Sequence, residues 1–212
     1  MRLLAIDTAA NLCAACVFDT QAGEQGRAVR DLGKGHAEHL MGVIGDALKA
    51  ANMTYEDLDG IVVCVGPGSF TGVRVGVSTA RGLALALNIP SVGVSTLEGL
   101  AREAIDNAPG QSVIARIEAG RGQAYLAAFS EDGSPTTAPA ALSLADADQL
   151  IGNASPDTLI ATGTTADIAI YARLGGEKLA AEPQPEKPKP LYLRDADAKP
   201  QGSFALPRKS AS

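Results

Sequence analysis

Residues 60–87 read GIVVCVGPGSFTGVRVGVSTARGLALAL. A β-branched run at 61–65 meets the turn Gly66-Pro67-Gly68-Ser69-Phe70-Thr71-Gly72, and an apolar pattern with helical spacing follows at once. Glycine takes positive φ without steric cost and proline fixes its own φ at about −65°, so the strand must stop here. Ser69 or Thr71 can supply the side-chain oxygen that caps a helix starting at this point. Across 73–87 every face is apolar or small, with Val73, Val77, Ala80 and Ala84 on one and Val75, Thr79, Gly82 and Ala86 on another. A helix without a solvent face is buried on more than one side. Two ridges with spacings of four, Gly72/Gly76/Ala80/Ala84 and Ser78/Gly82/Ala86, would each let another backbone come close. This is either a central core helix or a helix with one side on its own sheet and the other on a partner chain. Arg74 and Arg81 argue against a membrane span.

Working outward, the composition narrows the function classes. The 212-residue chain has 46% hydrophobic residues, 4% aromatic, no Trp and 23 Gly, which implies cores of aliphatic and small side chains. That length allows one or two domains. The net charge of −6 provides no general basic field, so any RNA contact is expected to be shared with a more basic partner. The opening MRLLAIDTAA is interrupted by Asp7 too early for a secretory signal, and no stretch reaches ~18 uninterrupted apolar residues, so the expected location is the cytoplasm with no membrane contact. Cys13 and Cys16 form a CxxC within NLCAACVF, a predicted strand. An odd separation on a strand sends them to opposite faces, so they and Cys64 are expected to be inert thiols.

The order of elements predicts a two-lobed α/β protein. Apolar runs at 3–7 and 11–18 flank a hairpin tip at Thr8-Ala9-Ala10, and a more polar run follows at 26–32. Lys34-Gly35-His36-Ala37-Glu38-His39 opens a helix to about residue 51 with the core stripe Leu40, Val43, Ile44, Ala47, Leu48, Ala51. Ala37, Met41 and Gly45 make a small-residue ridge beside that stripe. Beyond the central stretch come a strand at 90–94 and a capping box, Ser95 with Glu98, that starts a helix to about 105. Asn107-Ala108-Pro109-Gly110 marks a boundary. Strands at 112–118, 123–130 and 136–142, a helix at 144–151, a strand at 158–161 and a helix at 165–174 then repeat β-β-β-α-β-α in shorter form. Two such units are the layout of the actin, Hsp70 and sugar-kinase superfamily. The expected division is an N-terminal lobe at 1–106, an abbreviated lobe at 107–194 and a flexible tail at 195–212. From Gly175 the chain reads as a charged, proline-spaced segment, richest in proline at 182–190, that forms no packed element; 191–194 is again strand-like.

Catalytic chemistry is sparse. Asp7-Thr8 stands where that superfamily carries its first phosphate hairpin, but Thr8 and Ala9 replace the expected glycine, which makes Asp7 and Thr8 a vestigial nucleotide site at most. The turn at 66–72 lacks the Lys-Ser/Thr pair of a Walker loop, and Thr71 occupies the last glycine position of a dinucleotide fingerprint. Free N–H groups at the helix start could still hold an anion. His36 and His39 are the only histidines, and with no third ligand placed beside them they read as helix-end or interface residues rather than a metal site. No Ser-His-Asp set stands out. No cofactor is expected beyond weak nucleotide binding. The rival reading is a small actin-like ATPase or phosphotransferase using Asp7 and the 66–72 turn.

LLAIDTA near the start, GHAEHL, VGPGSFTGVRVGVSTARGLALALNIPSVGVSTLE and the late PLYLR together resemble the bacterial TsaB (YeaZ) family, closely over 1–105 and loosely beyond. The resemblance implies a non-catalytic scaffold subunit in the machinery that places threonylcarbamoyl on the adenosine beside the anticodon of certain tRNAs. It implies pairing with the catalytic subunit TsaD, support for the ATPase TsaE and tRNA contact only through the complex; a homodimer through the same helices when the partner is absent is a third reading. The catalytic subunit's His-x-x-x-His is His36-x-x-His39 here, which agrees with a non-catalytic role, and no protease site is present. In that family two N-terminal helices make the pairing surface. The corresponding residues are His36, Ala37, Leu40, Met41, Ile44 and Gly45 on the first helix. On the second they are Phe70, Thr71, Val73, Arg74, Gly76, Val77, Ala80, Arg81 and Ala84.

Overall fold

In the computed structural model, which describes residues 1–194, the expected strand–loop–helix lies at the centre of the first lobe. The expectation for the tail at 195–212 falls outside the described residues. Strands β1 (Arg2–Asp7), β2 (Leu12–Asp19) and β3 (Gly23–Asp31) form an antiparallel meander. β4 (Gly60–Cys64) and β5 (Ser91–Val94) add in parallel, giving the order β3-β2-β1-β4-β5. β4 is buried along its whole length, as a parallel strand covered on both faces must be. On one face of the sheet, α1 (His36–Ala50) lies over β2 and β3 while α2 (Phe70–Leu87) lies over β4 and β1. Of the two candidate caps for α2, Ser69 is the one used: its Oγ accepts the Gly72 N–H at 3.2 Å.

The second lobe repeats the plan with one strand fewer. β6 (Val113–Gly120), β7 (Gln123–Phe129) and β8 (Pro135–Ser143) make the meander, and β9 (Leu159–Thr162) pairs in parallel with β6, in the order β8-β7-β6-β9. α4 (Leu144–Gly152) covers β7 and β8. The fold is therefore α/β, actin-like and two-lobed, with an abbreviated second sheet.

The two halves exchange helices. α3 (Thr96–Asn107), started by the reciprocal Ser95–Glu98 capping box, packs on the second sheet against β6, β9 and β7. α5 (Ile168–Ala181) crosses back to cover the free face of the first sheet over β1, β2, β4 and β5. One apolar core consequently runs through both lobes.

α5 corrects the sequence expectation, since it starts at Ile168 and continues through Gly175 and Gly176 to Ala181. Two glycines within a helix normally cost ~1 kcal/mol each relative to alanine. Here they let the helix touch the sheet: a Cβ at Gly175 would lie 2.3 Å from a Val62 methyl, and one at Gly176 3.0 Å from Thr20. The proline-spaced segment after α5 is neither helix nor strand, yet it is anchored. Pro188 is buried near Gly93, and the Leu191 N–H donates to the Val65 carbonyl at 2.8 Å. It thereby holds the chain against the ends of β4 and β5. Among the described residues no helix is long and apolar enough to cross a membrane.

Candidate functional site

The polar end of β1 is closed by the chain itself. Asp7 is buried; its Oδ1 accepts the Ala9 N–H at 2.8 Å and its Oδ2 accepts the Thr165 hydroxyl. Thr165 also shares a 2.9 Å hydrogen bond with the Tyr171 hydroxyl, which in turn accepts the Ala166 N–H at 3.2 Å. Burial pushes the Asp7 carboxyl above its ordinary range, opposed by the bonds from Thr165 and Ala9. Beside it, Cys64 Sγ lies 3.3 Å from the Thr96 hydroxyl, which donates to the Pro67 carbonyl at 2.8 Å. Asp7 thus ties the end of β1 to the loop before α5.

Thr8, fully buried, donates from Oγ1 to the Gly72 carbonyl at 2.7 Å. The glycines of the 66–76 stretch serve this contact. A Cβ at Gly68 would lie 2.2 Å from the Ala9 oxygen, at Gly72 2.0 Å from the Thr8 oxygen, and at Gly76 2.5 Å from Thr8 Oγ1. The loop that invited a phosphate reading is filled by the β1–β2 hairpin.

His36 and His39 do not act together: His36 is buried at the start of α1 with no partner for Nε2, whereas His39 is exposed. No group of three or more metal-ligating side chains exists among the described residues. Cys13 and Cys16 are buried free thiols, pushed by desolvation to about 11 and about 12 respectively.

The structure divides the sequence-predicted interface residues. Ala37, Met41, Phe70, Thr71, Arg74 and Arg81 are exposed and Gly45 is half-buried. His36, Leu40, Ile44, Val73, Gly76, Val77, Ala80 and Ala84 are turned into the chain's own core. The Gly72/Gly76/Ala80/Ala84 ridge is therefore the inward one. The outward side of α2 carries Thr71, Ser78, Gly82, Leu85 and Ala86, with Val75 and Thr79 half-buried. A Cβ at Gly42, Gly45 or Gly82 would meet nothing within 4 Å. The outer surface of the helix pair is thus open at these glycines, with Met41 49% and Leu85 79% exposed upon it and with Glu38, His39, Asp46, Lys49, Arg74 and Arg81 exposed on the same helices.

At the start of α2 two of the expected interface residues, Phe70 and Arg74, join Tyr192, which the expectation does not include. The Arg74 guanidinium lies 3.8 Å above the Phe70 ring, and its Nε donates to the Tyr192 hydroxyl at 2.7 Å. The Phe70 and Tyr192 rings are 5.5 Å apart. Arg194 stacks on Tyr125 at 5.4 Å and donates to the Gly120 carbonyl at 3.0 Å, tying the same segment to the second lobe. These residues border a cleft of about 980 Å³ whose opposite wall includes Ile117 and Glu118. Helical spacing links Phe70 to Arg74, but nothing in local sequence links either to Tyr192, 118 residues beyond Arg74.

A family model described as TsaD, tRNA N6-adenosine threonylcarbamoyltransferase, matches residues 28–174. The tRNA threonylcarbamoyladenosine biosynthesis protein TsaB of Escherichia coli is 34% identical over 132 residues, 62% of this chain and 56% of that protein. The chain's match therefore spans little more than half the length of that relative. An uncharacterised protein of Mycobacterium tuberculosis is 35% identical over 178 residues, 79% of each chain. Among solved structures, a Pseudomonas aeruginosa protein described as similar to peptidase YEAZ superposes with a TM-score of 0.75 at 26% identity, covering 91% of this chain and 99% of that one. Sharing sequence with TsaB proteins and nearly its whole fold with a YeaZ-like structure, the chain belongs to the TsaB (YeaZ) family.

Proposed function

We propose that this chain is a non-catalytic scaffold in tRNA threonylcarbamoyladenosine formation, and that it holds a TsaD-like catalytic subunit through the outward face of α1 and α2. One observation carries this reading: the surface of the helix pair, open at its glycines, lies on a lobe whose phosphate hairpin is occupied by the chain's own side chains. Glycine and small side chains let a partner's helices approach closely, and isolated exposed apolar groups such as Met41 and Leu85 find burial there. The same surface would accept a second copy when the partner is absent. A TsaE-like ATPase would join through the paired assembly, and tRNA would touch this chain only indirectly.

The test is reconstitution. The purified chain should co-elute with a TsaD-like subunit, and omission of the chain should abolish tRNA modification by the mixture. Failure to co-elute, or modification at an unchanged rate without it, refutes the scaffold role. The rival ATPase reading requires Asp7 to be free for Mg²⁺ or phosphate, whereas it is enclosed by Ala9 and Thr165. Calorimetry of the chain alone with ATP and Mg²⁺ separates the two, the scaffold reading expecting weak or no binding.

A further inference from the structure

We infer that the docking surface is composite: the segment after α5 contributes Tyr192 to it, and Phe70, Arg74 and Tyr192 form its anchor for the TsaD-like subunit. The inference rests on the scaffold reading and adds a component that the helix pair alone lacks. Of the exposed large apolar side chains of the described residues, Met41, Phe70, Leu85 and Tyr192 lie on α1, α2 or the segment beside them, while Met1, Val29, Leu144 and Ile160 are spread over other elements. Phe70 is 51% and Tyr192 50% exposed, a large aromatic area left in water by a chain with only 4 Phe and 4 Tyr.

The cluster is also preorganised. Arg74 is stacked on Phe70 and bonded to Tyr192, so three side chains that would otherwise sample many rotamers hold one shape before a partner arrives. Preordered aromatic and arginine side chains at the centre of a contact carry most of its energy, because little entropy remains to be lost on binding. The segment itself is fixed at both ends of the cluster, by the Leu191 N–H on Val65 and by Arg194 on Gly120 and Tyr125. It lies along the flank of α2, where Pro190 and Tyr192 border Arg74, Val77, Ser78 and Arg81. The cluster is thus continuous with the outward ridge at Ser78. Arg74 and Arg81 are the only charged residues on α2, so the matching partner surface is acidic with an apolar pocket for the two rings.

The experiment measures association of the full chain with a TsaD-like subunit by calorimetry, together with the melting temperature of each variant. Tyr192→Ala is expected to weaken association at least tenfold and Phe70→Ala similarly, with melting within a few degrees of the unmodified chain. Tyr192→Phe, which keeps the ring and loses only the bond from Arg74, should weaken it a few-fold and make a folding defect an insufficient explanation. Wild-type affinity in both alanine variants overturns the composite surface while leaving the helix pair as the docking site. A loss confined to self-association of the chain, seen by sedimentation, assigns the cluster to a second copy and overturns it as well. If the unmodified chain does not bind at all, the scaffold reading itself fails and takes this inference with it.

Discussion

Thr8 donates its hydroxyl to the carbonyl of Gly72 at 2.7 Å across 64 residues of chain, joining the tip of the first hairpin to the first turn of α2. The bond is possible because Gly68, Gly72 and Gly76 leave no Cβ between the hairpin and the helix. Thr8→Val, which keeps the shape and removes the donor, should therefore cost about 1 kcal/mol, read as a lower urea midpoint at constant slope.

Gly76→Ala and Gly175→Ala test close approach on opposite faces of the first sheet. The new methyls would fall 2.5 Å from Thr8 Oγ1 and 2.3 Å from a Val62 methyl. Each should destabilise by ~1–3 kcal/mol through overpacking, lowering the melting temperature by ~2–4 °C per kcal/mol in a chain of this size. Melting unchanged in both would mean that α2 and α5 lie farther from the sheet than described.

Gly82→Leu is the contrasting change, since its side chain would enter open space on the outer face. Replacing an exposed helical glycine should leave stability equal or higher by up to ~1 kcal/mol. Association with a TsaD-like subunit should fall at least tenfold, because a bulky group now stands between the helices. Normal pairing by this variant would remove the Ser78/Gly82/Ala86 ridge from the interface.

Asp7 predicts a pH dependence of definite sign. Its folded pKa is raised by burial above the ordinary 3.8, so the folded chain holds this proton more tightly than the unfolded one. The contribution to stability is full below the unfolded pKa and is lost as pH rises through the folded value. Asp7→Asn can keep the Ala9 contact and donate to Thr165 without ever charging. Its stability relative to the unmodified chain should increase as pH climbs above about 4, when compared by denaturation at several pH values. A flat difference across that range would show that the Asp7 carboxyl titrates normally.

Cys13, Cys16 and Cys64 are buried, with their thiols pushed up by desolvation. The native chain should show no rapid reaction with a disulfide reagent at pH 8, and all 3 cysteines should react once it is unfolded. Rapid native-state modification of one or more would place that thiol at the surface.

Much of the fold was legible because its signals are local. Glycine and proline ended β4 at the turn before α2, the Ser95–Glu98 spacing marked the start of α3, and the repeated β-β-β-α-β-α order announced two lobes. α5 was read too short because a charged, proline-spaced segment follows from Gly175, and the contact that carries the helix on through its two glycines lies in Val62, which no window around 175 contains. The tie from Asp7 to Thr165 spans 158 residues and has no local trace.

For the stretch at 60–87, the sequence by itself determined a strand, a glycine turn and a helix with two ridges of small residues. Helical periodicity specifies which residues share a face, but it does not say what each face meets. Gly72/Gly76/Ala80/Ala84 and Ser78/Gly82/Ala86 look alike in size and spacing. Only the tertiary structure turned the first against Thr8 and β4, left the second open, and brought Tyr192 to the end of the helix. The physical reason is that close approach is decided by the group on the other side, here a hairpin and a segment contributed from distant parts of the chain.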